Sequence, residues 1–71
     1  MFTYEPLRIL LQERGIPFRE LRREADIHSV AAVRLNNDSG VVSLEVLDRI
    51  CTYLNVPIEK IVRHIPDTPN V

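Results

Sequence analysis

Apolar residues along this chain recur at three- and four-residue intervals, the spacing that gathers side chains on one face of a helix. Leu7, Leu10 and Leu11 share such a face between Glu5 and Arg14. Pro6 suits the first turn, where its missing N–H costs nothing, and Gly15 suits the left-handed residue that closes a helix. Ile16-Pro17 turns the chain into a second helix from about Phe18 to Ala25, with Leu21 and Ala25 inward and Phe18 joining them at the start. Arg19, Arg22 and Arg23 point elsewhere, interleaved with Glu20 and Glu24. Asp26-Ile27-His28 is a tight break, because Asp tolerates the left-handed conformation such a turn demands. His28 or Ser29 then caps a third helix through about Asn36.

Residues 36–40 are dense in turn formers. Ser43 starts a fourth helix with Leu44, Leu47, Ile50, Cys51 and Leu54 on its buried side, and Asn55 closes it. Pro57 opens a short fifth helix carrying Ile58, Ile61 and Val62, which Pro66 stops, and the tail from Asp67 to Val71 is expected to fray. The pattern predicts an all-α fold without strands, a compact five-helix bundle in a single domain over 1–71.

Composition narrows what such a bundle can do. Hydrophobic residues make up 45% of the 71 positions and charged ones 27%, as in a soluble globular chain, which excludes disorder. The longest apolar runs, Ile9–Leu11 and Val30–Val33, fall far short of the roughly 20 residues a membrane span needs. Met1-Phe2-Thr3-Tyr4-Glu5 has no signal-segment character, so a cytoplasmic protein is expected. One cysteine and two scattered histidines make neither an internal disulfide nor a metal cage, and no cofactor is expected. The glycines are Gly15 and Gly40 alone, no phosphate loop or nucleophile constellation is present, and an enzyme is not expected. A domain this small is marginal by itself, so tight helix packing or dimerisation is expected.

The informative unit runs from about 18 to 36: helix, three-residue turn, helix, with Leu21, Ala25, Ile27, Ala32 and Leu35 forming a shared core. Two short helices then cross steeply, leaving the outer face of Ser29 to Arg34 free to enter a DNA major groove about 12 Å wide.

Longer stretches strengthen that reading. Residues 10–16 (Leu-Leu-Gln-Glu-Arg-Gly-Ile), 20–27 (Glu-Leu-Arg-Arg-Glu-Ala-Asp-Ile), 42–56 and 61–67 (Ile-Val-Arg-His-Ile-Pro-Asp) resemble the small Cro/phage-repressor-type helix-turn-helix proteins of the XRE family. The resemblance covers nearly the whole chain and departs in spacing only at the loop 37–41. It implies a lambda-repressor-like domain that binds double-stranded DNA sequence-specifically, usually as a homodimer, and regulates transcription. The family's recognition helix then falls on Ser29 to Asn36, with Ser29, Val30 and Arg34 facing the bases. Phe18, Arg19, Arg22, Arg23, His28 and Asn36 stand where phosphates would be touched. Asp26 replaces the usual turn glycine, and Val30-Ala31-Ala32-Val33 is more apolar than the family's usual base-reading face.

Each feature also has a plainer reading. Net charge is −1, but residues 8–34 hold six arginines against four acids (+2), while 35–71 hold three basic residues against five acids (−2) and Glu5 completes the sum. A solvated surface of paired charges accounts for those arginines as well. Arg34 fits guanine bidentately or is simply solvated. Ser29 contacts DNA or only caps, and His28 suits a cap or surface residue. Val30 and Val33 fit thymine methyls, the core, or a protein-binding patch. His64 suits the end of the last helix, and Cys51 a small buried hydrophobe. The expected function is thus a small homodimeric transcriptional regulator, by default a repressor, with its third helix in the major groove. The rival is a module of the same fold that no longer binds DNA and docks another regulator through Val30, Ala31 and Val33.

Overall fold

The computed structural model describes residues 1–66, so the tail whose fraying the sequence predicts lies outside the described residues. The chain forms β1 (Phe2–Thr3), α1 (Glu5–Arg14), α2 (Phe18–Glu24), α3 (Ser29–Asn37), α4 (Leu44–Leu54), a 3-10 turn (Ile58–Lys60) and β2 (Arg63–His64). Local chemistry sets most of these limits. Pro6 lies in the first turn of α1, and Gly15 closes that helix at φ 68°. The Ser43 hydroxyl caps α4 by accepting from the Val46 N–H, and Asn55 closes it at φ 57°.

Four α-helices, not five, are present among the described residues. Beyond Pro57 the chain makes a single 3-10 turn. Ile61 is then fully buried, and its carbonyl accepts from the Leu7 N–H (3.3 Å) in the first turn of α1, an amide that has no partner within its own helix. Held there, the chain runs on as β2, antiparallel to β1, pairing Phe2 with His64 and Thr3 with Arg63. A bundle without strands is therefore corrected to a helical fold with a two-residue strand pair. His64 closes no helix: its ring meets that of Phe2 edge-on, centroids 5.2 Å apart.

The core joins every helix: Leu7 and Leu11 of α1, Leu21 of α2, Ala31, Ala32 and Leu35 of α3, and Val46, Leu47, Ile50 and Leu54 of α4, with Tyr4, Ala25, Ile27, Val42 and Ile61 between them. Leu44, expected inside, is 75% exposed. It is the first residue after the Ser43 cap, and the buried stripe of α4 begins only with Val46 and Leu47. Cys51 is half-buried, and burial raises its thiol pKa, keeping it protonated.

Candidate nucleic-acid interface

The unit of α2, turn and α3 is fastened from two sides. Asp26 adopts φ 54°, the left-handed conformation the tight turn requires, and Ile27 plugs into the core behind it. From α2, Arg22 donates through Nε to the Ile27 carbonyl (3.1 Å) and through Nη2 to Ser29 Oγ (2.8 Å). From α4, Arg49 donates through Nε to the Ala25 carbonyl (2.9 Å) and through Nη2 to the Asp26 carbonyl (3.1 Å). Carbonyls left over in a turn would otherwise need water. His28 then caps α3, its Nδ1 accepting from the Ala31 N–H at 3.4 Å.

The far end of α3 is closed by Asp38, again left-handed at φ 54°. Its carboxylate accepts from the Thr3 hydroxyl (2.8 Å), the Tyr4 N–H (2.7 Å) and both terminal nitrogens of Arg8. Hydrogen bonding from Arg8 is the main reason the Asp38 carboxyl sits far below the usual carboxylate range; burial opposes the shift, and the Tyr4 amide and Thr3 hydroxyl support it. Arg8 also donates to the Leu35 carbonyl (2.7 Å) in the last turn of α3, where a cation complements the helix dipole. The acid that closes α3 is thus paired on its inner side.

What α3 turns outward is an apolar strip edged with polar groups. Val30 and Val33, one turn apart, are 54% and 52% exposed, and Ser29, Arg34, Asn36 and Asn37 are exposed around them. No residue within α3 is acidic. Ala31, expected in a contact patch with the two valines, is only 4% exposed and belongs to the core, because it lies on the face of Ala32 and Leu35. Arg34 lies over the following loop, donating through Nη1 to the Val41 carbonyl (2.8 Å). Gly40 makes room for it, since a Cβ there would come within 3.1 Å of Arg34 Nε.

The residues expected at phosphates are less uniform. Arg19 and His28 are exposed, Phe18 is half-buried and packs on the core. Arg23 pairs with Glu24 (3.1 Å), and Glu20 accepts from the Tyr53 hydroxyl (3.0 Å). Arg22 faces the turn as described. Sequence reading missed Arg8, Asp38 and Arg49, whose partners across the fold lie 23 to 35 residues away and leave no local signal.

Two short helices crossing about a fastened left-handed turn, the second showing its outer face to solvent, define a helix-turn-helix domain. Residues 6–67 match the family model of the Cro/C1-type HTH DNA-binding domain, and the chain belongs to that family. A solved structure, the transcriptional regulator VanUg, is similar over 93% of this chain and 87% of its own, with a TM-score of 0.86 and 32% identity. No curated protein sequence matches the chain. Among the described residues no helix is long and apolar enough to cross a membrane.

Proposed function

We propose that this chain is a transcriptional regulator, a repressor, that reads double-stranded DNA as a homodimer with α3 in the major groove. The observation that carries this reading is the outward face of α3: Val30, Val33 and Arg34 exposed together, without a carboxylate, on a helix held at both ends. Ser29, Val30 and Arg34 are assigned to the bases. Arg19, Arg22 and Arg23, with Phe18, His28 and Asn36 at the edges, are assigned to the phosphates. Likeness to VanUg, itself a transcriptional regulator, supports a regulatory role. A second copy would read a second half-site about 34–36 Å away. Its docking surface is assigned to the apolar patch of Phe2, Val41, Leu44 and Ile58, all exposed.

Selection from random duplex DNA, followed by a salt titration, tests the reading. A two-fold symmetric enriched site whose affinity falls steeply with salt is expected, because several phosphates are neutralised. No enrichment and no salt dependence would favour the second reading, a protein-docking module, for which the exposed pair Val30 and Val33 is the motive.

A further inference from the structure

We infer that Val30 and Val33 read the C5-methyl groups of thymine, so that the preferred half-site holds thymines at one or two neighbouring positions under α3. This rests on the DNA-binding reading above and assigns the chemistry by which its bases are distinguished. Two β-branched side chains one turn apart on an exposed helix offer neither a donor nor an acceptor. The one base-edge feature of the major groove that such groups can recognise is the thymine methyl. The Cβ atoms of residues three apart lie about 5–6 Å from each other, a span of one to two base-pair rises of about 3.4 Å. The surroundings suit a duplex. Arg34 flanks the pair, no acid belongs to α3, and Asp38 is turned inward onto Arg8, Thr3 and Tyr4. The valines are also stiff: β-branching holds χ1 of a helical valine almost entirely in one rotamer. They meet a methyl with little ordering cost.

Uracil tests this directly, since it keeps every hydrogen-bonding group of thymine and lacks the methyl. Each thymine of a site selected by the 71-residue chain is replaced singly by deoxyuridine, and binding is measured at fixed salt for the wild type and for the Val30→Ala, Val33→Ala double variant. Expected is a loss of about fourfold per methyl removed, confined to one or two positions per half-site and absent in the variant. Both valines are exposed, so the variant should keep its melting temperature. A site that binds with normal salt dependence yet tolerates every deoxyuridine overturns the methyl assignment and leaves DNA reading standing. A deoxyuridine penalty that persists in the variant overturns the assignment to these valines. Failure to select any duplex overturns the DNA-binding reading and this inference with it.

Discussion

Arg8 of α1 reaches Asp38, the residue that closes α3, with two parallel hydrogen bonds of 3.0 Å each, Nη1 to Oδ1 and Nη2 to Oδ2. The pair joins positions 30 residues apart and is half-buried, and it ties the end of α3 to the first helix. Asp38→Asn keeps a residue that tolerates the left-handed backbone but removes the charge. It should cost about 1.5–3 kcal/mol, the range for hydrogen bonds to charged groups, and lower Tm by several degrees. Acid should act on the same link. The folded carboxyl is lowered below its unfolded value of about 3.9, so its contribution is complete above that value and fades as pH falls below about 4. Melts across this range should show a shallower loss of stability in Asp38→Asn than in the wild type.

Tyr4→Phe probes a neighbouring contact. The buried Tyr4 hydroxyl accepts from the Val42 N–H and donates to the Gly40 carbonyl, each at 3.0 Å. Without it a buried amide has no acceptor, and urea unfolding should report a loss of about 1–3 kcal/mol. A change within a few tenths would mean that water takes the place of the hydroxyl.

Arg34→Ala should weaken binding to the selected site by about 1–3 kcal/mol and relax the preference at a single base pair. One of the five guanidinium N–H donors is held by the Val41 carbonyl, which leaves the others for a base edge on a side chain already steadied. Titrations against singly substituted sites check this; unchanged affinity and unchanged base preference would remove Arg34 from the readers.

Arg22→Ala should act differently, weakening binding to every sequence alike. Its bonds to Ile27 and Ser29 hold the turn, and its charge lies on the helix assigned to phosphates. The slope of log affinity against log salt should fall by about 1. An unchanged slope with a lowered Tm would confine Arg22 to the turn.

Leu44→Glu places a charge on the patch assigned to the second copy while leaving the core untouched, since Leu44 is largely exposed. Sedimentation should show a dimer in the wild type and a monomer in the variant. A dimer in both would move the interface elsewhere.

Local rules carried the helices. The three-and-four spacing of Leu7 and Leu11, the stripe Leu47, Ile50, Leu54, and the closing positions Gly15 and Asn55 are readable because each depends on residues within a turn or two. The strand pair is not readable, because two-residue strands carry no alternation and exist only where residue 2 meets residue 64. The same distance hid Arg8, Asp38 and Arg49. Leu44 misled because a hydrophobe beside a cap fits the stripe in spacing while lying off it in space. In the site, the core positions Leu21, Ala25, Ile27, Ala32 and Leu35 and the His28 cap were legible. The roles of the arginines were not: composition counts charges, and only geometry separates Arg22 and Arg49, which bond the turn, from Arg19, which is exposed.

Along α3, the residues that build the core and those that meet solvent without bonding elsewhere stand apart: Ala31, Ala32 and Leu35 on one side, Val30 and Val33 on the other. Exposed substitutions of this kind usually shift stability by no more than about 0.5 kcal/mol. The outer set can therefore be exchanged as a block, by drift or by an engineer, while the scaffold beneath keeps its shape. On the reading proposed above, new targets would be reached by rewriting one strip of one helix, with the cost of each attempt falling on recognition and not on folding.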